Sequence, residues 1–400
     1  MIHELKSNLF INSPVSTECK TSVVIPVRDE ARCLPVTLAA FAGQRNVRGG
    51  AFDPRSFELI ILANNCTDDS AAIIKKFRRE NPQMQIHPAE IALSAENSNI
   101  GFVRRLLMNK AFFRLTRYRK DGVILTTDGD TRVAPDWIAA NLSEIESGAD
   151  AVGGRIIIAP EELAAMDANC REFYLKDEEY RLLTAEIEAL IDDVPHDSAP
   201  RHHQHFNGSF AVTTEAYEKA GGVPHVEFLE DVAFYEALQR VDAKFRHSPA
   251  VKVYTSSRHE GRSAVGLSYQ FNEWRKLGEC GADFLVESAQ NIEKRLRAKR
   301  LLRNFWRRAE ASDFPTNAEI DELSAQFNIG AEFLIGELNT SQTFGVLHEK
   351  VSSEQRSSDE WENRHSPVPL RTALEDLRGI ILLIKSGKSN VHSFSQTSSR

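Results

Sequence analysis

Two short acidic motifs have the residue types and spacing that could carry chemistry. Asp128 and Asp130 flank a glycine directly after the apolar run GVILTT, and Glu230 and Asp231 follow Phe-Leu about one hundred residues later. Neighbouring carboxylates repel each other, so both stay ionised only where a cation or hydrogen-bond donors compensate their charge. Mg²⁺ or Mn²⁺ bridging a diphosphate is the natural compensator at Asp128 and Asp130, because these ions prefer carboxylate and phosphate oxygens. A turn that uses Asp and Gly for their backbone preferences is the alternative interpretation.

The second motif and one histidine extend this hypothesis. Asp231 could act as a general base towards a hydroxyl group, although acidic residues also stabilise helix N-termini without any catalytic role. His259 follows the apolar run AVKVYTSS and could add a nitrogen ligand to the same metal ion. A structural histidine is the equally open alternative at that position. The cluster HHQH at residues 202–205 is expected in a solvated loop, because its spacing lacks a coherent set of metal ligands.

The elements that must position these residues are apolar runs at 21–27, 57–63, 122–127 and 149–158, with helical patterns between them. Continuous apolar strands separated by helices predict an α/β fold with a mostly parallel central sheet and helices on both faces. Ligands bind at the carboxyl ends of the strands in such sheets. Asp128 and Asp130 follow the third run directly, which favours the functional interpretation.

Four segments in this order resemble the family 2 glycosyltransferases with a GT-A fold: IPVRDE, NNCTDDS, TTDGDT and FLED. The resemblance runs from about residue 21 to residue 259. It implies a GT-A type domain, a nucleoside-diphosphate sugar as donor, a hydroxyl acceptor, and Mn²⁺ or Mg²⁺ as cofactor. The family usually has an aromatic residue where this chain has Arg28 and often an Asp where it has Asn64, which leaves the base open between uridine and guanosine.

The resemblance also implies roles for individual residues. Asp231 would be the catalytic base with Glu230 as its neighbour, Asp130 would bind the metal ion directly, and His259 would complete the metal shell. The remaining positions would bind the nucleotide sugar, with Asp128 at the ribose: Pro26, Arg28, Glu30, Asn64, Arg104 and Asp128.

The predicted domain organisation has four parts. Residues 1–20 form an N-terminal lead, 21–262 the GT-A nucleotide-sugar-binding and catalytic domain, 263–385 a helical C-terminal extension, and 386–400 a flexible tail. Within the extension, the basic segment KRLRAKRLLRNFWRR could contact an anionic membrane surface or a second copy of the chain. A solvated helix face is the alternative.

Composition narrows the function classes. The 400 residues include 49 Lys+Arg and 57 Asp+Glu, for a formal net charge of -8, which argues against a nucleic-acid partner. Five widely spaced cysteines without a CxxC motif fit a reducing compartment. The N-terminal residues do not have the pattern of a signal peptide, and no apolar run reaches the roughly 20 residues that span a bilayer. We therefore expect a cytoplasmic protein.

The expected function is metal-dependent transfer of a sugar, from a UDP-sugar in the first instance, to an acceptor hydroxyl with inversion. A retaining GT-A enzyme of the sugar-phosphoglycerate synthase type and a non-catalytic nucleotide-sugar-binding protein remain alternatives. A sugar-phosphate nucleotidyltransferase is disfavoured, because no glycine follows the first strand before Gly43. A processive membrane synthase is disfavoured by the lack of spanning helices and by Glu273 where the QxxRW motif has Arg.

Overall fold

The computed structural model describes residue 11 and residues 13–117, 121–256, 267–280, 282–357 and 366–387. The chain divides into two compact units. The first comprises Met1–Met166 and Gln204–Ser268, and the second comprises Asp167–His203 and Tyr269–Arg400. Residues 167–203 thus group with the C-terminal helices, whereas the predicted boundary at residue 262 places them in the catalytic domain.

An eight-stranded sheet forms the centre of the first unit. Its strands are β1 (Thr21–Val27), β2 (Phe57–Asn64), β3 (Gln85–Ile91), β4 (Val123–Thr127), β5 (Arg132–Val133), β6 (Ala151–Ile158), β7 (Ser209–Thr213) and β8 (Phe245–Thr255). The spatial order is β3-β2-β1-β4-β7-β6-β8-β5. Strands β3, β2, β1 and β4 are mutually parallel, as are β6 and β8, whereas β7 is antiparallel to both β4 and β6 and β5 is antiparallel to β8. The predicted α/β class with a mostly parallel sheet is confirmed.

Helices cover both faces of this sheet. They are α1 (Leu34–Ala42), α2 (Ser70–Glu80), α3 (Ile100–Thr116), α4 (Trp137–Glu146), α7 (Thr214–Lys219) and α8 (Glu230–Arg240). The short helix α5 (Pro160–Ala165) follows β6 and has no buried residues. Successive strand residues point to opposite faces, so Val23 packs in one apolar core with α1 and α4, and Val24 packs in the other with α3 and α8. Both faces of β1 and β2 are therefore buried, which explains their continuous apolar runs.

A buried ionic cluster lies where the first residues of β1 and β2 meet α3. Glu58 is fully buried, and its carboxylate accepts hydrogen bonds from Arg114 Nε at 3.0 Å, Arg114 Nη2 at 2.6 Å and Ser22 Oγ at 2.6 Å, with His87 Nε2 at 3.1 Å. Burial by itself would raise the pKa of Glu58, but the hydrogen bonds from His87 and Arg114 outweigh it and lower the pKa to about 2. The cluster ties α3 to the sheet and thereby fixes the helix that carries Arg104.

The second unit is helical. Its elements are α6 (Ala168–Ile191), α9 (Leu267–Cys280), α10 (Ala289–Glu310), α11 (Asn317–Phe327), α12 (Ala331–Thr340), α13 (Phe344–Arg356), α14 (Leu370–Lys385) and the short antiparallel strands β9 (Leu285–Val286) and β10 (Val368–Pro369). One apolar core joins α6, α10 and α14, and another joins α10 to α11, α12 and α13.

The basic helix α10 is engaged within its own unit. Lys299 pairs with Glu188 on α6, Arg303 binds Asp192 through two hydrogen bonds, and Arg308 pairs with Glu319. These charges therefore stabilise the packing of the helical unit. In the described ranges, no helix combines the length and the apolar character needed to cross a bilayer.

The low pKa of Glu58 predicts that the free energy of unfolding decreases at acidic pH. Because the pKa of Glu58 is about 2 in the folded chain and 4.5 ordinarily, its contribution to stability is fully present above pH 4.5 and is lost as the pH falls towards 2. We expect Glu58→Gln to lower the free energy of unfolding by about 3–5 kcal/mol at pH 7, since Arg114 stays buried without its counter-ion. Urea unfolding followed by circular dichroism between pH 7 and pH 2 measures both effects.

Glu90→Gln is the matched control, because Glu90 pairs with Lys75 on the exposed surface of neighbouring β3. That exposed pair should contribute less than about 1 kcal/mol. If Glu58→Gln and Glu90→Gln lowered the free energy of unfolding equally, the role assigned to Glu58 would be wrong.

Candidate active site

The ends of β1 and β2 bring two of the predicted nucleotide-binding residues to one backbone carbonyl. Arg28 Nη1 lies 3.4 Å and Asn64 Nδ2 lies 3.3 Å from the carbonyl oxygen of Ser98, to which both donate. The parallel register pairs Val27 with Ala63, so the residues after each strand meet at the same edge of the sheet. The Asn64 side chain is buried, and its Oδ1 has no hydrogen-bond partner within the described part of the chain.

The loop after β1 packs directly on the loop that carries the first acidic motif. A Cβ atom added at Gly129 would lie 3.2 Å from the carbonyl oxygen of Pro26 and 3.4 Å from Cγ of Glu30. Thr37 on α1 donates a hydrogen bond to the Gly129 carbonyl at 3.1 Å. Only a residue without a side chain fits this approach comfortably, so the glycine between Asp128 and Asp130 brings their loop against the end of β1.

Arg104 connects the two acidic motifs. It is 3% exposed, and its guanidinium donates to Asp128 Oδ1 through Nη2 at 2.6 Å and to Glu230 Oε1 through Nε at 3.3 Å. Nη1 donates to Thr126 Oγ1 at 2.6 Å and to the carbonyl oxygen of Asn207 at 3.3 Å. Burial by itself would lower the pKa of Arg104, but the charges of Asp128 and Glu230 outweigh it and raise the pKa. A permanent cation thus lies between carboxylates that are 102 residues apart in sequence.

Asp130 lies beside hydroxyl groups at the end of β8. Its Oδ1 is 3.4 Å from Thr131 Oγ1, and its Oδ2 is 3.5 Å from Oγ of Ser256, the residue after β8. Asp128 is partly exposed, and a Cβ added at Gly208 would lie 3.0 Å from its Oδ2. Carboxylate and hydroxyl oxygens at the carboxyl end of β4 are a donor set that suits a hard divalent cation. The other predicted metal ligand, His259, lies outside the described residues.

Glu230 and Asp231 begin helix α8. Glu230 is buried against Arg104, whereas Asp231 is half-buried, and its Oδ1 accepts the backbone N–H of Val232 at 2.9 Å. Burial and the neighbouring charge of Glu230 raise the pKa of Asp231. A carboxylate with a raised pKa is a stronger base than an ordinary aspartate, and this is the property that general-base catalysis needs.

The residue before this motif has an unusual backbone conformation. Leu229 is the N-cap of α8 and has φ 56° and ψ 43°, in the left-handed region. For a leucine, this conformation costs of order 1–3 kcal/mol, and such strain is concentrated at functional sites. The strained residue fixes the direction in which the helix begins and so the placement of Glu230 against Arg104.

Sequence reasoning missed three residues that hold this site together. Ser98, Thr126 and Asn207 contact the predicted residues through a carbonyl, a hydroxyl and a carbonyl respectively. Asn207 is 2% exposed, and neither its Oδ1 nor its Nδ2 has a hydrogen-bond partner among the described residues. Only Asn207 could have been noticed from sequence, because it begins the segment NGSF, whose last two residues are the first two of β7. The contact of Ser98 is made by its backbone carbonyl, which every residue type has, so the sequence does not indicate it.

The HHQH segment is not a solvated loop. His202 is fully buried, and Gln204 binds the backbone of Ile156 through both amide atoms, at 2.6 Å and 3.1 Å. His205 stacks on Tyr235 of α8 with ring centroids 4.1 Å apart. The expectation from sequence is therefore wrong, because His202 is buried, the Gln204 amide is bonded to the backbone and the His205 ring packs on another side chain.

A second group of potential metal ligands lies after β1 and β2. Asp29, Cys66 and Asp68 each have a ligand atom within 4.8 Å of the others. Asp29 Oδ1 already accepts hydrogen bonds from Thr67 N at 2.6 Å and Thr67 Oγ1 at 3.1 Å. These contacts explain the cluster as the hydrogen bonding of a turn, in which the acidic residue caps the following backbone.

Comparison with known proteins finds a family that is similar to part of this chain. Residues 22–193 match the family model described as glycosyl transferase family 2. These residues are 172 of the 400 in the chain. The match includes most of β1, all of β2, and Arg104, Asp128 and Asp130. Together with the sheet described above, the match bears out the expected GT-A class of fold.

Solved structures with similarity to this chain are distant in sequence. They include S. aureus TarS, at 16% identity over 72% of this chain and 43% of that chain with a TM-score of 0.40. A mannosyltransferase from Pyrobaculum calidifontis, in complex with GDP-Man and Mn²⁺, has 13% identity over 98% and 92% of the two chains with a TM-score of 0.44. M. tuberculosis glucosyl-3-phosphoglycerate synthase has 14% identity over 67% and 85% with a TM-score of 0.36. The chain thus spans less than half the length of the TarS chain, and no curated protein sequence matches it.

The contacts of Arg104 predict strong energetic coupling. Arg104→Met leaves Glu230 buried without a counter-ion, so we expect the free energy of unfolding to fall by about 3–5 kcal/mol. In the double variant with Glu230→Gln, the loss should be smaller than the sum of the two single losses by about 0.5–3 kcal/mol, since the residues share one interaction. Urea unfolding of the four proteins gives this coupling energy directly.

Arg105→Met is the control, because Arg105 lies next to Arg104 on α3 but is partly exposed. Its effect should stay within about 0.5 kcal/mol. Additive losses in the Arg104 and Glu230 variants would show that the two residues are not coupled.

Proposed function

We propose that this protein is a glycosyltransferase that moves a sugar from a nucleoside-diphosphate donor to the hydroxyl group of an acceptor, with inversion at the anomeric carbon. The observation that carries the proposal is the contact of one buried cation, Arg104, with both acidic motifs. It sets Asp128, at the end of the sheet where ligands bind, next to the helix start that carries Asp231. A donor bound at Asp128 and a base at Asp231 would therefore be adjacent, which a single displacement requires.

The donor nucleotide is proposed to bind along the ends of β1 and β2. Pro26, Arg28, Glu30 and Asn64 would contact the nucleoside, and Asp128 the ribose. The unpartnered Oδ1 of Asn64 can accept an N–H such as the imide of uracil, while its Nδ2 is already directed at Ser98. A UDP-sugar is therefore the first donor to test, with the guanosine equivalent as the comparison. Arg104, expected from sequence to face the nucleotide, would act on it through Asp128.

A divalent cation, Mn²⁺ or Mg²⁺, is proposed to bind at Asp130, with His259 as a further ligand. When bound, such an ion supplies positive charge that stabilises the departing diphosphate. The residues of this chain contribute the oxygen ligand of Asp130 and the hydroxyls of Thr131 and Ser256 beside it. The Arg104 charge offsets that of Asp128, which reduces the repulsion between the two carboxylates of the motif.

Asp231 is proposed to remove the acceptor proton. The acceptor oxygen forms a bond to the anomeric carbon as its proton passes to the Asp231 carboxylate. The bond from the anomeric carbon to the diphosphate oxygen breaks, and the nucleoside diphosphate leaves with the electron pair. Glu230 contributes by position, since its charge raises the pKa of Asp231 and its contact with Arg104 fixes the start of α8.

Replacement of the base separates binding from chemistry. We expect Asp231→Asn to lower the transfer rate by about 100-fold or more, because a neutral amide cannot accept the proton. Binding of UDP with Mn²⁺ should be retained, and a thermal-shift titration of UDP and GDP with and without Mn²⁺ measures it. Glu236→Gln, an exposed change on the same helix, is the control and should keep the wild-type rate. Near-normal turnover in Asp231→Asn would remove Asp231 from this role.

The charge of Glu230 makes the pH profile a second test. The rate should fall on the acidic side as Asp231 becomes protonated, at a pH above the ordinary value for aspartate, because its pKa is raised. Glu230→Gln removes a negative charge that contributes to this rise, so the acidic limb should move to lower pH. Measuring kcat/KM from pH 4 to pH 8 for the wild-type protein and for Glu230→Gln compares the acidic limbs of the two profiles. An unchanged limb, or a shift to higher pH, would argue against Asp231 as the titrating base.

A further inference from the structure

Three large apolar side chains beside the acidic motifs are exposed to solvent. Ile100 is 41% exposed, Phe228 is 50% exposed and Leu229 is 48% exposed, and we call these three residues the apolar shelf. They belong to two segments in close contact, since a Cβ added at Gly101 would lie 3.2 Å from Cβ of Glu230 and 3.2 Å from the Val226 carbonyl oxygen. Single exposed apolar residues are ordinary, whereas a group of them next to polar residues marks a binding surface.

The backbone of Leu229 gives a second reason to assign a function to the shelf. A glycine would adopt its left-handed conformation without strain, yet this chain has a leucine whose side chain is half exposed. The residue therefore gains only part of the stability from burial that would offset the strain. A side chain retained at such a position is explained by a contact that forms outside the folded chain.

The shelf is within reach of the proposed reacting hydroxyl. Leu229 and Asp231 are two residues apart, so their Cα atoms are separated by no more than about 7.6 Å. An acceptor whose hydroxyl is bound at the Asp231 carboxylate therefore needs to extend by only a few atoms to contact the shelf. Glu230 is paired with Arg104, but the carboxylates of Glu227 and Asp231 lie within five residues of each other and disfavour an acceptor with a phosphate or carboxylate next to that hydroxyl.

We propose that the acceptor carries an uncharged apolar group, alkyl or aryl and about six carbons in size, beside the hydroxyl that is glycosylated, and that the apolar shelf binds this group. The inference rests on the proposed function, because it uses Asp231 as the position of the hydroxyl. It specifies the class of acceptor, which the sequence motifs leave open.

Hexyl and methyl β-D-glucopyranoside are suitable probes, because they share one sugar and differ only in the apolar group. Ligand-observed NMR titrations of the full chain measure the Kd of each. We expect the hexyl compound to bind about tenfold more tightly to the wild-type protein, and the preference to fall to about twofold or less in the double variant Phe228→Ser, Leu229→Ser. Leu285→Ser, which changes a leucine of similar exposure (53%) in the second unit, should keep the wild-type preference. Thermal melting of each variant verifies its folding.

Three outcomes would overturn the assignment of the shelf: equal binding of the two glucosides to wild type, an unchanged preference in the double variant, or tighter binding of 3-phosphoglycerate than of the hexyl compound. Failure of the proposed function has a different signature. A wild-type protein that releases no nucleotide from UDP- or GDP-sugars with Mn²⁺ would overturn glycosyl transfer, whatever the glucosides show. A protein that turns over a donor but does not distinguish the glucosides would overturn the shelf alone.

Discussion

The ion pairs of Arg104 with Asp128 and Glu230 are the interaction on which the site depends. A guanidinium that is 3% exposed loses most of its hydration, and carboxylates on two sides are what make this burial tolerable. Glu230 also needs the cation, because it is itself buried next to Asp231. The buried charges of Arg104 and Glu230 therefore compensate each other. The end of β4 and the start of α8 are fixed to one another through α3.

The sheet determines where this charge cluster forms. Parallel strands β1, β2 and β4 end at the same edge, and the loops after them converge there. Close approach is achieved by residues without side chains, since Gly129 packs on the Pro26 carbonyl and Gly208 packs on the Asp128 carboxylate. At the opposite ends of β1 and β2, the Glu58–Arg114 pair anchors the same helix that supplies Arg104. One helix thus links the Glu58–Arg114 pair at one end of these strands to the ion pairs of Arg104 near the other end.

The helical unit has an electrostatic organisation of its own. Asp192 at the end of α6 receives two hydrogen bonds from Arg303, and the Arg303 guanidinium also lies 4.0 Å from the centre of the Phe344 ring. These contacts join α6, α10 and α13 by charge as well as by apolar packing. The run of basic residues in α10, which suggests an anionic surface when read as sequence, is thereby explained to a large extent by partners within the unit.

The sequence by itself determined the class of fold and the two acidic motifs. Apolar runs of strand length separated by helical patterns are sufficient to predict the class of fold, because both faces of a parallel sheet are buried. The two acidic motifs can be recognised from sequence because Asp128 and Asp130, like Glu230 and Asp231, are close together in the chain. Only the tertiary structure decided which residue connects the two motifs. Arg104 was expected at the nucleotide, yet it is buried between Asp128 and Glu230, and no local pattern encodes contacts across such separations. The burial of His202 and the left-handed backbone of Leu229 were decided in the same way, since both depend on how distant segments pack and not on the residues beside them.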